Sequence, residues 1–345
     1  MKIVAIGDNI VPSQLMERLL REELSKFNPS IECLDWTLES FDEFQEKCLL
    51  IEKFGPDVLE IPKEFQSTIK DAEVLVVHYC PVSASVIENS PKLKLIGCCR
   101  GGYENVNIDY ARKKGIVVVN APGRSANAVA EFTIGLIIAE SRNIARGHYA
   151  LKNGIWRKNY ANDEYRKELY DKVIGIIGFG NIGRRVARLL KAFNVKTILV
   201  YDPYLPNEEI IKAGCEPADL RRIFRESDFI TIHARLTKEN ANLINRELIS
   251  LMKRSAYIIN TARAGLVDYN ALYEALKERR IAGAALDVFD LEPLPPNSPL
   301  LELDNITLTP HLAGDTIETR LNGIRMISEE IAAFLEGRLL RNRVV

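Results

Sequence analysis

Short apolar runs alternate with amphipathic stretches along the whole chain, the pattern of parallel strands buried on both faces and covered by helices. In the first third the runs Ile3–Ile6, Ile31–Trp36, Val74–His78, Leu93–Cys98 and Ile116–Val119 predict strands. Between the first two, Ser13–Ser25 carries Leu15, Met16, Leu19, Leu20 and Leu24 at helical spacing. The turn residues Asn120-Ala121-Pro122-Gly123 then break the pattern, and Ser125 or Asn127 is placed to cap one long helix running toward Leu151. A second strand series follows at Val173–Ile177, Thr197–Tyr201, Phe229–His233, Ala256–Ile259, Ala284–Asp287 and Ile306–Leu308. Six strands make a complete Rossmann sheet. Beyond His311 the stripe Ile317, Leu321, Ile324, Ile327, Ile331, Leu335 predicts a helix over about 316–336 that returns to the first domain.

The length of 345 residues is more than one core accommodates comfortably. The expectation is an α/β protein of two domains, one discontinuous over 1–119 and 313–345, the other spanning 120–312. Lysine plus arginine number 46 against 47 aspartate plus glutamate, a net charge of −1 that leaves no electrostatic footprint for nucleic acid or an anionic membrane. No run approaches the ~20 apolar residues of a membrane span, and the N-terminal apolar stretch is too short for a secretion signal. The six cysteines form no CxxC pair and no zinc-ligand spacing, so no metal is expected and all six read as reduced, mostly buried residues of a cytoplasmic protein.

The chemistry begins at Gly178-Phe179-Gly180-Asn181-Ile182-Gly183, a GxGxxG that follows an apolar strand and opens a helix. Gly178 permits the tight turn, Gly180 lets backbone approach a pyrophosphate, and Gly183 allows the helix to pack close to the strand. The N–H groups of Asn181 and Ile182 then point at the phosphates. About twenty residues further on, the next strand ends in Asp202, where a carboxylate hydrogen-bonds the adenosine ribose and repels a 2′-phosphate. The cofactor expected is NAD.

Three later strand ends supply reacting groups, and open α/β sheets bind ligands at that carboxyl edge. His311, in Thr309-Pro310-His311-Leu312-Ala313-Gly314, titrates in the range that proton exchange with a hydroxyl or ketone requires. Glu292 is placed to hold its tautomer and favour imidazolium. Arg263, in Asn260-Thr261-Ala262-Arg263, offers a planar fork for a substrate carboxylate and the adjacent carbonyl oxygen.

With GFGNIG and Asp202, NTARAGLVD, AALDVFDLEP and TPHLAG in place, supported by NAPGRSANAVAEFTIG and HARLT, the chain resembles the D-isomer-specific 2-hydroxyacid dehydrogenases over nearly its whole length. The resemblance implies a flavodoxin-like substrate-binding domain, a central NAD-binding Rossmann domain, a homodimer, and interconversion of a small D-2-hydroxy acid with its 2-oxo acid, 3-phosphoglycerate or a related acid. It assigns Arg263, Glu292 and His311 to catalysis. It adds Ala234, Thr261, Ala262, Arg263, Asp287, His311, Ala313 and Gly314 to the cofactor contacts, and places Arg100, Gly101 and Gly102, with Arg263, against the substrate carboxylate.

Two departures stand out. The family's HxPLT reads His233-Ala234-Arg235-Leu236-Thr237, with Arg235 for the proline near the adenosine side. The loop after Val74–His78, which carries a phosphate-binding arginine in phosphoglycerate members, reads His78-Tyr79-Cys80-Pro81-Val82-Ser83, leaving Arg100 as a substitute. A function of another class fits the same residues, an NADH-sensing protein like the corepressors that share this fold. Such a protein would bind NADH and turn over poorly, although no segment here has the composition of a disordered regulatory tail.

Overall fold

The computed structural model describes all residues, Met1–Val345, and its contacts divide the chain into two units, Met1–Ser125 with Thr316–Val345, and Ala126–Asp315. The first crossing lies beyond the expected one because the turn after Asn120 still bonds into unit one, Ala121 N–H to the Arg100 carbonyl at 2.8 Å. The second lies beyond Ala313 because the Leu312 and Ala313 N–H groups donate to Asp287 in unit two, each at 2.9 Å.

Unit one holds β1 (Lys2–Asp8), β2 (Ser30–Trp36), β3 (Val74–Val77), β4 (Leu95–Cys98) and β5 (Val117–Asn120) in one parallel sheet of order β2-β1-β3-β4-β5. That order is the flavodoxin-like one. β3 and β4 are buried throughout, as strands covered on both faces should be. The helix Ile317–Leu335 starts at Thr316, whose hydroxyl accepts the Thr319 N–H at 3.1 Å. Ile324, Ile327 and Ile331 of the expected stripe are fully buried, and Ile327 occupies the space above Gly97 of β4. Ile317 is 69% exposed, because it sits in the first turn before the helix reaches the sheet.

Unit two holds β6 (Val173–Ile177), β7 (Thr197–Tyr201), β8 (Glu216–Pro217), β9 (Phe229–Ile232), β10 (Tyr257–Asn260), β11 (Gly283–Leu286) and β12 (Ile306–Leu308). All are parallel, in the order β12-β11-β10-β9-β6-β7-β8. Counted within the unit this is 3-2-1-4-5-6 with one strand added, a Rossmann sheet. The expected six strands are therefore seven. The missed one, β8, has two residues and ends in a proline, which suits an edge position and leaves no periodicity to read. The expected single helix toward Leu151 is two, Ala126–Ser141 and Ile144–Lys152. The break falls at Asn143, whose φ of 58° is left-handed, a conformation asparagine tolerates better than most residues. Buried Glu140 pins the broken end, taking Arg146 at 2.7 Å and the Thr307 hydroxyl at 2.6 Å.

Candidate active site

β6 ends at Ile177, and the glycine turn that follows is as tight as the motif implies. Gly178 has φ of 92°, and a Cβ there would lie 2.5 Å from the backbone nitrogen of Ala234 in the loop after β9. At Gly183 a Cβ would fall 2.2 Å from the Gly178 carbonyl oxygen, so this glycine lets helix Asn181–Lys191 sit close against the strand exit. Gly180 differs, because a Cβ there meets nothing within 4 Å. That open space lies at a helix start whose first N–H to find a helical carbonyl is Arg184, bonded to Gly180 at 3.1 Å. The N–H groups of Asn181, Ile182 and Gly183 are thus the open donors, a cradle of the shape a pyrophosphate requires.

Asp202, just past β7, fits the same cofactor. One carboxylate oxygen accepts the Phe179 N–H at 2.7 Å and the other the Tyr204 N–H at 2.9 Å, which fixes the carboxylate while each oxygen keeps a lone pair for a ribose hydroxyl.

The Glu292–His311 pair lies at the other side of the sheet, where β10, β11 and β12 end in register, Asn260 beside Leu286 and Leu286 beside Leu308. His311 Nδ1 lies 2.8 Å from Glu292 Oε2, while Glu292 Oε1 accepts the Phe289 N–H at 2.9 Å. The hydrogen bond to Glu292 holds the His311 pKa above its ordinary value, against partial burial and the nearby Arg263 guanidinium. Burial alone would raise the Glu292 pKa, but His311 and the Phe289 N–H bring it below the ordinary value. With Nδ1 engaged, Nε2 is the nitrogen left to exchange a proton. Arg263 is exposed, its Nη1 resting on the Ala262 carbonyl at 2.8 Å, and its charge bears on both members of the pair.

Two buried side chains hold these loops in place, and the sequence reading assigned neither that task. Asp287 takes the Thr309 hydroxyl at 2.6 Å and the Leu312 and Ala313 N–H groups at 2.9 Å, fastening both sides of His311. His311 itself has φ of 54°, so the loop keeps a non-glycine residue in a left-handed conformation that aims its ring. Asn260 does the same for the arginine loop, accepting the Ala262 N–H and donating to the Arg263 carbonyl, each at 3.0 Å. Thr261 is buried and its hydroxyl meets that of Thr133 at 2.9 Å, which leaves its backbone for a ligand. Ala313 is buried and Gly314 half-buried, both in the stretch that Asp287 holds.

In unit one, Arg100 differs from the expected free anion binder. The residue is 6% exposed, and its guanidinium stacks 3.7 Å over the Tyr79 ring and pairs with Glu52. Gly101 and Gly102 follow in an open turn, the Gly101 carbonyl accepting from Asn120 Nδ2 at 2.6 Å. Two of the other three histidines lack an acidic partner of the kind His311 has. His148 has no acidic partner, and His233 is paired only with the Thr231 hydroxyl, its pKa pushed down to about 3 by burial.

A Rossmann sheet with a phosphate cradle at one side of its switch point and an acid–histidine pair at the other defines a dinucleotide-dependent oxidoreductase. Comparison with known proteins narrows the class. The family model described as D-isomer specific 2-hydroxyacid dehydrogenase, NAD binding domain, matches residues 134–313. The D-3-phosphoglycerate dehydrogenase of Methanocaldococcus jannaschii is 45% identical over 285 residues, 82% of this chain and 53% of that protein. The glyoxylate reductase of Thermofilum pendens is 41% identical over 281 residues, 80% of this chain and 82% of that one. Among solved structures, the D-lactate dehydrogenase of Lactobacillus jensenii with NAD+ superposes with a TM-score of 0.79 at 25% identity, covering 100% of both chains. The chain therefore belongs to the D-isomer-specific 2-hydroxyacid dehydrogenase family, with NAD as cofactor. It spans about half the length of the phosphoglycerate dehydrogenase it matches. No helix is long and apolar enough to cross a membrane.

Proposed function

We propose that this protein reversibly oxidises a small D-2-hydroxy acid to its 2-oxo acid, with Arg263, Glu292 and His311 as the catalytic residues. The observation that carries the reading is the 2.8 Å contact between His311 and Glu292 on the carboxyl edge of the Rossmann sheet. NAD, when bound along Gly178–Gly183, Asp202, Ala234, Thr261–Ala262 and Ala313–Gly314, supplies the hydride chemistry. Arg263 holds the substrate carboxylate through its planar fork and polarises the reacting oxygen. In oxidation, neutral His311 takes the hydroxyl proton at Nε2, and Glu292 stabilises the imidazolium that forms. In reduction the same imidazolium donates the proton to the ketone oxygen. Gly101 and Gly102 offer backbone N–H groups to the carboxylate. The family likeness also carries a cytoplasmic homodimer, which light scattering of the purified chain checks.

A panel of glyoxylate, pyruvate, hydroxypyruvate and their longer homologues with NADH, followed at 340 nm, tests the reading. Oxidation of NADH by at least one of them is expected. Tight NADH binding without turnover on any would point instead to the nucleotide-sensing alternative.

The raised His311 pKa sets a pH dependence. Reduction needs imidazolium, so its rate holds through the ordinary histidine range and falls only above the raised value. Glu292→Gln removes the chief cause of the rise, and both the loss of reduction and the onset of oxidation should move to lower pH. Profiles of kcat/KM that coincide with wild type would show that Glu292 does not set the proton affinity of His311.

A further inference from the structure

The amino edge of the Rossmann sheet, opposite the edge that carries the glycine cradle and His311, holds a concavity that the dehydrogenase chemistry leaves unused. Its volume is about 530 Å³, within the ordinary range of small-molecule sites. The wall is assembled just ahead of three strands, with Arg254 before β10, Arg279 before β11 and Asp304 before β12. The segment 157–165 adds Arg157 and Tyr160. All of these residues belong to unit two.

Three guanidiniums thus line one pocket. Of the three acids in the same wall, two are already engaged. Asp163 accepts the Tyr160 N–H at 2.9 Å and pairs with Arg166, which lies outside the wall, while Asp304 pairs with Arg279 Nη2. With those two pairs set aside, Arg157 and Arg254 face Glu164, which leaves one positive charge in excess. Arg157 stands over the Tyr160 ring at 4.9 Å and gives Nε–H to the Asn159 carbonyl at 2.8 Å, so both terminal nitrogens remain for a ligand. Arg254 is exposed.

Arg279 carries the argument furthest. Helix Tyr269–Lys277 closes in a double turn, the Arg280 N–H reaching the Ala275 carbonyl at 2.8 Å and the Arg279 N–H the Leu276 carbonyl at 3.1 Å. The left-handed position of that closure usually holds glycine, but here it is Arg279, with φ of 56°. Its ion pair with exposed Asp304 does not account for the choice, because such surface pairs contribute little. Although the side chain as a whole is partly exposed, its Nη1 is buried and has no acceptor. An unmet buried N–H is costly, and an oxygen of a ligand in the pocket would satisfy it.

We propose that Arg279, Arg254 and Arg157 form a binding site for a small, multiply charged oxyanion, a polycarboxylate or a phosphate. No reacting group lines the pocket, so the anion is a bound ligand and not a substrate. The site stands on unit two's amino edge alone and is independent of the dehydrogenase reading. The rival role for Arg279 is a clasp that ties the helix end to Asp304 ahead of β12. A clasp gives stability and no affinity for anions.

Calorimetric titration of inorganic phosphate and of citrate into the NADH-loaded full chain, in a buffer free of other oxyanions, tests the site in wild type, Arg279→Gly and Arg254→Gln. Wild type should bind one of the two at a single site with Kd below about 1 mM, and the tighter ligand tells phosphate from carboxylate. Each variant should weaken that binding by about tenfold or more, the worth of one charge-assisted hydrogen-bonded pair. Arg279→Gly also places the residue that the turn prefers, so its Tm without added anion should equal or exceed that of wild type. A clasp alone predicts the reverse, a lower Tm with anion binding intact. Absent or weaker binding in wild type would mean an adventitious ion only and overturns the proposal, as does wild-type affinity in either variant. Should Arg279→Gly not fold, Arg254→Gln decides alone: weakened binding supports the site, and unchanged binding overturns it.

Discussion

His311→Ala is expected to lower turnover about a thousandfold in both directions while NADH binding is retained, within the usual range for losing a positioned general acid–base. The side chain lies beyond the last strand, far along the sheet from the glycine cradle and Asp202, so cofactor affinity has no reason to change. What is lost is the proton donor for the ketone and the acceptor for the hydroxyl. Water can replace either only without the orientation that Glu292 imposes through Nδ1. The loss should appear in kcat and kcat/KM together, because the proton moves in the transition state and not in the ground-state complex. Stopped-flow or steady-state NADH oxidation, paired with NADH fluorescence titration, separates the two effects. Wild-type turnover from His311→Ala would remove the acid–base assignment altogether. A fall confined to NADH affinity would move His311 into the cofactor site instead.

The sequence carried the strands because parallel sheets bury both faces, so their runs are apolar throughout and stand out without alternation. β6, β7 and β12 match the expected ranges residue for residue. β8 did not stand out, because its pairing to β7 is made by backbone over two residues and needs no apolar side chain. The helix break at Asn143 was hidden for a different reason. Its cause is the capture of Glu140 by Arg146 and Thr307, and Thr307 is brought there only by the fold.

The site divides in the same way. Arg263, Glu292 and His311 were legible because each sits at a strand end in a distinctive run, and the sheet order turns three distant segments into neighbours. The tasks of Asn260 and Asp287 were not, since their partners are backbone N–H and carbonyl groups that any residue supplies. His78 was read only as a departure from an arginine-bearing loop. Its partner Asp8 is seventy positions away in the chain, and nothing local to either residue marks the pair.

Asp287→Ala should cost the loop carrying His311 its anchor, with a fall in turnover of about a hundredfold and a loss of stability of roughly 3 kcal/mol. Asp287 is fully buried and receives three donors from the stretch 309–313. Removing the carboxylate leaves the Thr309 hydroxyl and two N–H groups without acceptors, and each orphaned donor carries a desolvation penalty. It also releases the left-handed backbone at His311, which relaxes toward ordinary φ and carries the imidazole off its alignment with Glu292. Asp287→Asn separates the two effects. The amide fills the same volume and keeps one oxygen acceptor, but turns an NH2 toward a donor, so it should recover part of the stability and little of the rate. Thermal unfolding followed by circular dichroism, with NADH turnover measured well below the transition, reads both quantities on one preparation. Full wild-type turnover from Asp287→Ala would mean that the loop holds its own geometry, and that the buried carboxylate serves stability without aiming the histidine.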